Sequence, residues 1–247
     1  MTKKPYGMIC PITRVCEILE PRWTIAILVA LWAGASKFNA IRREIGSISP
    51  ALLSKRLKEL EELGLLERIA DPATGDVDYI RTDAAVALEP ALYALADWSQ
   101  RYISAELALC STSVSNLMWN MRKHIATEEL PERRVVIQLR FSDPGLDYDT
   151  WWLLMQPGAP VEVCTSIPGF DVDLYLETSI VSLGGIVIGR TSVARELDLG
   201  ELFVSGDARL ARTIDRWLIP SPHFAAVEGL DPLPEERRGA PAFRVSA

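Results

Sequence analysis

The chain has 247 residues, 49% hydrophobic and 24% charged with a net charge of −7, enough for two ordinary soluble domains and too long for one small core. Its longest apolar run, IAILVALWAGA at 25–35, falls short of the ~18 residues of a membrane helix, and MTKKPYGMIC lacks the apolar core of a secretory signal, so the expected location is cytoplasmic. Cys10, Cys16, Cys110 and Cys164 have neither zinc-ligand nor disulfide-framework spacing, so no metal or cofactor is expected.

The charge is unevenly spread. Residues 1–70 hold eleven Lys+Arg against seven Asp+Glu, while 71–110 hold two against seven and 111–220 ten against fifteen. Only the first stretch suits a polyanion. It reads as helices at Pro11–Glu20, ended by Pro21, and at Trp23–Ala33, nearly all apolar and closed by Gly34. A third runs from Phe38 to Ile45, closed by Gly46, with Arg42 and Arg43 turned away from Phe38, Ile41 and Ile45. A fourth runs from Pro50 to Leu63, with Ser49 as N-cap and Pro50 in its first turn. The three residues Gly46 to Ile48 between them match a helix-turn-helix. On the fourth helix Leu53, Leu57 and Leu60 share one face; Ala51, Ser54, Lys55 and Lys58 share the other. Hydroxyl and basic side chains beside a small alanine are what a helix entering the major groove needs. Arg56 points to the flank of the apolar face, where an ion pair within the fold is the alternative to a DNA contact. LLERIA (65–70), DPATGD and VDYIRT (77–82) then read as a two-stranded wing.

Cys10-Pro11, Arg22-Trp23-Thr24, Lys37-Phe38-Asn39, Ile48-Ser49-Pro50 and Leu53-Ser54-x-Arg56-Leu57-x-x-Leu60 together resemble the HxlR family of winged-helix transcription regulators, relatives of the MarR type. The resemblance covers residues 8 to about 103 and implies a dimeric domain that binds double-stranded DNA. The DNA-facing set then comprises Lys37, Asn39, Arg42, Arg43, Ser49, Ala51, Ser54, Lys55, Arg56, Lys58 and Arg81. One departure stands out: DPATGDVD has three aspartates and no Lys or Arg, which weakens the wing as a phosphate grip and leaves Arg81 and Arg68 as its local cations. In some members of the resembled family a cysteine before proline senses oxidation, which makes Cys10 a redox candidate; its alternative is a small packing residue. Arg14 and the adjacent helix start are the groups that would lower its thiol pKa.

Residues 83–109 read as a turn followed by a long helix from Pro90. Its apolar stripe (Leu88, Leu92, Leu95, Tyr102, widened by Ala91, Ala96, Trp98, Ile103, Ala105 and Leu107) is broader than one core requires. A homodimer through this helix is expected, placing two recognition helices roughly 34 Å apart.

CSTSVSN (110–116) is a polar break. It divides a first domain, 1–109, from a second, 114–219, with a Pro-rich irregular tail at 220–247. The second opens with a helix at VSNLMWNMRKHI. Strands follow at 134–141, 151–156, 161–165 and 171–178, then two short helices, a fifth strand at ELFVSG, and a closing helix DARLARTIDRWL capped by Asp207. The fold class is therefore α+β. Leu117-Met118-Trp119-Asn120-Met121-Arg122, the 171–178 strand, and Leu202-Phe203-Val204-x-Gly206-Asp207 running to Arg216-Trp217 resemble the sterol carrier protein domain. That resemblance implies an apolar cavity, with Trp119, Phe141, Trp152, Phe170, Tyr175, Ile186 and Phe203 as candidate liners and plain core packing as the alternative for each. No catalytic constellation is found: G-x-S-x-G, H-E-x-x-H and the P-loop pattern are absent, and His124 and His223 stand apart. The chain reads as a DNA-binding regulator, not an enzyme, that senses an apolar small molecule or lipid. The rival is an apolar-ligand carrier or scavenger that uses the winged helix only to dimerise.

Overall fold

The computed structural model describes residues 6–103 and 112–221. Residues 104–109 of the expected long helix, Cys110 and the tail from residue 222 with His223 lie outside the described residues. The chain forms two compact units that divide between Tyr93 and Ala94.

The first unit holds α1 (Pro11–Leu19), α2 (Thr24–Trp32), α3 (Phe38–Ile45), α4 (Pro50–Glu62), the antiparallel pair β1 (Leu66–Ala70) and β2 (Val77–Arg81), and the start of α5 (Asp83–Tyr102). Its core gathers Ile27, Leu28 and Leu31 of α2, Ile41 and Ile45 of α3, and Leu53, Leu57 and Leu60 of α4. The three α4 leucines are at most 1% exposed, and each such burial stabilises by roughly 2 kcal/mol. By contrast, α1 buries none of its residues. Helix α5 starts at Asp83, before its expected start near Pro90. Thr82 caps it, its Oγ1 accepting from the Ala85 amide at 3.3 Å, so nucleation occurs upstream and Pro90 sits inside the helix, at the loss of one backbone hydrogen bond.

The second unit takes the rest of α5, then α6 (Val114–Met121), a 3-10 turn at Arg122–His124, and a five-stranded sheet. The strands are β3 (Val135–Phe141), β4 (Thr150–Met155), β5 (Glu162–Cys164), β6 (Leu174–Thr178) and β7 (Leu202–Gly206), in the order β5-β4-β3-β6-β7. Only β3 and β6 pair in parallel. Val135, Ile137, Leu139 and Phe141 alternate onto one face, as a period of two requires. There they pack with Leu117, Met118 and Met121 of α6, with Leu183 and Ile186 of α7 (Ile180–Val187), and with residues from α8 (Val193–Leu199), α9 (Ala208–Arg212) and α10 (Ile214–Trp217). The expected single closing helix is two pieces. Thr213 leaves helical geometry at φ −113°, ψ 17°, and the buried Trp217 indole donates to the Leu210 carbonyl at 3.1 Å across the break. Asp207 is the N-cap as expected, accepting from the Arg209 and Leu210 amides. Among the described residues no helix is long and apolar enough to cross a membrane.

Candidate nucleic-acid interface

The α3–turn–α4 segment is built from local signals. Gly46 ends α3 at φ 83°, donating its amide to the Arg42 carbonyl at 2.9 Å; a positive φ suits glycine and few other residues. Ile48, 2% exposed, plugs the turn into the core. Ser49 Oγ then accepts from the Leu52 amide at 3.3 Å, leaving its own O–H to donate outward. With the leucines facing in, Ala51, Ser54, Lys55 and Lys58 face solvent. The two lysine side chains are 64% and 75% exposed, and their partners Glu59 and Glu62 stand at 3.9 and 3.7 Å, one turn on. Such exposed pairs hold a lysine weakly, and a phosphate displaces them readily. Asn39, Arg42 and Arg43 are also exposed, on α3.

Three of the expected DNA-facing cations are committed elsewhere. Lys37 lies against the wing, with Nζ 2.9 Å from Asp78 and 3.3 Å from Asp76. Ser36 Oγ also donates to Asp78 at 2.7 Å, and the Tyr79 amide donates to the Ser36 carbonyl at 2.9 Å. The Asp78 carboxylate holds the Lys37 ammonium above its ordinary pKa, and Lys37 with Ser36 holds Asp78 below the usual carboxylate range. Arg81 pairs with Glu89 at 3.2 Å. Arg56, only 18% exposed, bonds to Glu59 and donates Nε–H to the Arg22 carbonyl at 3.1 Å. Arg68, named with Arg81 as a local cation of the wing, is exposed on β1. The third wing aspartate, Asp71, closes the tip. It accepts from the Ala73 amide at 2.8 Å and from Thr74 Oγ1 at 2.9 Å, and the Ala73 bond foremost lowers its pKa.

At the start of α1, Cys10 is the N-cap. The Thr13 and Ile12 amides lower its thiol pKa. Arg14, the other expected cause, is instead paired with Glu17 at 2.6 Å.

The residues expected to line one apolar cavity are not brought together. Phe141 and Ile186 lie in the core under the helices, each 2% exposed. Trp152, Tyr175 and Phe203 lie on the opposite sheet face, since Trp152 and Tyr175 both register with Gln138, and Phe203 with Glu177. Tyr175 and Phe203 are exposed there, while Trp152 is buried. Phe170 sits under the Arg134 guanidinium at 4.2 Å, and Trp119 under that of Arg122 at 3.8 Å. Strand periodicity separates Phe141 from Tyr175, whatever their shared aromaticity. A cavity of about 560 Å³ opens at the ends of β3 and β6 and is acidic, lined by Asp143, Asp147, Asp149, Glu177 and Arg140. Among the described residues no three His, Cys, Asp or Glu side chains converge as metal ligands.

Comparison with known proteins places the first unit. The HxlR-like helix-turn-helix family model matches residues 18–107. The HTH-type transcriptional regulator YtfH of Escherichia coli K12 is 37% identical over 101 residues, spanning 40% of this chain and 80% of that protein. YvaP of Bacillus subtilis 168, another HTH-type transcriptional regulator, is 34% identical over 96 residues, spanning 38% of this chain and 89% of its own. The reduced form of the transcriptional regulator YodB from B. subtilis aligns at 31% identity over 39% of this chain and 96% of that one, with a TM-score of 0.36. The chain belongs to the HxlR-like helix-turn-helix family of transcriptional regulators.

Proposed function

We propose that this DNA-binding regulator acts as a homodimer, reads the major groove with the Ala51, Ser54, Lys55 and Lys58 face of α4, and senses an apolar small molecule or lipid through its second unit. The outward face of α4 carries the reading: two weakly held lysines, a hydroxyl and a small residue on a helix fixed by three buried leucines. A second copy is supported by the apolar surface of the first unit, where Ile9, Ile12, Val15, Ile25 and Val29 are exposed. In the second unit, Trp98 and Tyr102 on the later part of α5 are exposed as well. An apolar ligand is supported by Tyr175 and Phe203, exposed on the sheet face that the core helices leave open. Ligand would act by changing the spacing of the two α4 helices through α5. A tenfold effect on DNA affinity needs about 1.4 kcal/mol of difference between the ligand's affinities for the two arrangements.

The deciding experiment is fluorescence-anisotropy binding to the DNA upstream of the protein's own gene, against scrambled DNA, over a salt series, with sedimentation to give the stoichiometry. Specific, salt-steep binding by a dimer is expected. Binding no better than to scrambled DNA, together with uptake of apolar compounds from a lipid extract, would favour a carrier or scavenger instead. Cys10, the proposed redox residue, is expected to alkylate with a midpoint below that of an ordinary thiol; a midpoint at or above it would remove the cysteine from the mechanism.

A further inference from the structure

We propose that Arg56 is a positioning residue: it clamps α4 to the corner between α1 and α2, fixing how the recognition helix is presented, and makes no DNA contact of its own. The inference rests on the DNA-binding reading of α4 and concerns a residue for which the sequence left open both a DNA contact and an ion pair within the fold.

The corner is an unusual piece of backbone. Pro21 follows the end of α1, and Trp23 then adopts φ 83°, ψ −12°, the single positive φ outside glycine among the described residues. A bulky residue holds that conformation only where its surroundings impose it. Here the Trp23 ring packs on the core of the first unit and lies under the Arg22 guanidinium at 4.9 Å. The Trp23 carbonyl meanwhile takes the Ile27 amide at 2.9 Å to open α2. The Arg22 carbonyl accepts the Arg56 Nε–H at 3.1 Å. The other end of the same guanidinium bonds to Glu59, one turn along α4. A planar fork with fixed donors holds these two acceptors at once, whereas a lysine ammonium is a point charge on a flexible stem that fixes neither direction. Burial agrees: Arg56 is 18% exposed between Lys55 at 64% and Lys58 at 75%. Its charge is spent on Glu59, so it adds little to the field that a polyanion meets.

A phosphate ligand and a positioning residue leave different signatures. Losing a phosphate contact weakens binding to all sequences and lowers the salt slope by about one. Losing the clamp misplaces base-reading groups, so it weakens specific binding and leaves the slope alone. The experiment compares wild type, Arg56→Ala, Arg56→Lys and Lys55→Ala on the duplex that the wild type selects from a random-sequence pool and on a non-specific duplex, from about 50 to about 200 mM salt. Expected for Arg56→Ala and Arg56→Lys is a loss of about tenfold on the selected duplex with the slope unchanged; non-specific affinity stays unchanged in Arg56→Lys, which keeps the charge, and falls in Arg56→Ala, which leaves the Glu59 carboxylate uncompensated beside Lys55. Lys55→Ala should lose both. A slope reduced by Arg56→Ala as by Lys55→Ala, full recovery in Arg56→Lys, or no effect of either variant would each overturn the clamp. If Arg56→Ala fails to fold, Arg56→Lys decides. The clamp also has a readout without DNA: the Ile27 amide should exchange faster with solvent in Arg56→Lys, and unchanged exchange overturns it. A wild type that selects no sequence would overturn the DNA reading, and the exchange measurement would still judge the clamp.

Discussion

Helix α4 and the wing belong to the same unit, and the lysines of the one and the aspartates of the other are used in opposite directions. The α4 lysines point outward, and their partners within the helix, Glu59 and Glu62, stand at 3.9 and 3.7 Å, with Glu59 shared with Arg56. The wing aspartates turn back into the fold: Asp71 closes its own turn, and Asp76 and Asp78 take Lys37 from the start of α3. An acidic wing is therefore no contradiction in a protein that meets DNA. Its carboxylates fasten the wing to the helix-turn-helix, and the face of α4 proposed to read DNA stays exposed. Net charge says little about which surface approaches a polyanion; the partner of each charge says more.

The largest test of that contrast is the double substitution Lys55→Ala with Lys58→Ala. Specific DNA affinity should fall about 100-fold and the salt slope should drop by about two, measured by anisotropy over a salt series. A loss of that size after neutralising the wing aspartates instead would reverse the assignment. Next in size is Ser49→Ala, which removes the cap that holds the first turn of α4. About 1 kcal/mol of stability should be lost, read as a lower melting temperature, with the salt slope unchanged because the lysines remain.

How far the sequence foretold this contrast depends on the kind of signal. α3, the turn and α4 were legible because each boundary has a local cause: Gly46 for a positive φ, Ser49 for a cap, Pro50 for a first turn. The wing strands were legible for the same reason, through Pro72 and Gly75 between two β-rich runs. The destination of the wing charges was not. Lys37 and Asp78 are 41 residues apart, and nothing local to either announces the pair. The same limit explains Arg56, whose acceptor is the backbone of a residue 34 positions away. In the second unit, the alternation of β3 and the Asp207 cap were plain. The aromatic residues were grouped by type, while the sheet sorted them by parity: Phe141 went inward, Tyr175 and Phe203 outward. The start of α5 was misplaced because Pro90 is a strong start signal, and Thr82 supplies an earlier one.

The smaller tests concern the wing itself. Asp76 is the more exposed of the two Lys37 partners, 67% against 35% for Asp78, and the farther, at 3.3 Å against 2.9 Å. Asp76→Asn should leave the wing fastened by Asp78 while removing one negative charge beside the helix-turn-helix. DNA affinity should rise about threefold at low salt, and the gain should fade as salt is added, because screening over about 10 Å at 0.1 M removes an exposed repulsion. The Asp78 contribution then has a defined pH dependence. Its carboxyl is held below the ordinary 3.8 in the folded protein, so the pair contributes fully above that value and is lost as pH falls through the lower, folded pKa. Lys37 runs the other way: held above its ordinary 10.5, it contributes fully below that pH and is lost as pH rises through its folded value. Between those limits the fastening is insensitive to pH, so a carboxyl titration followed by NMR should place Asp78 below 3.8, and Lys37→Ala should move it back toward that value. A titration of Asp78 at the ordinary value in the wild type would mean that its bonds to Lys37 and Ser36 do not persist in solution. The wing would then be an acidic surface facing the DNA, and the contrast with α4 would become a true repulsion.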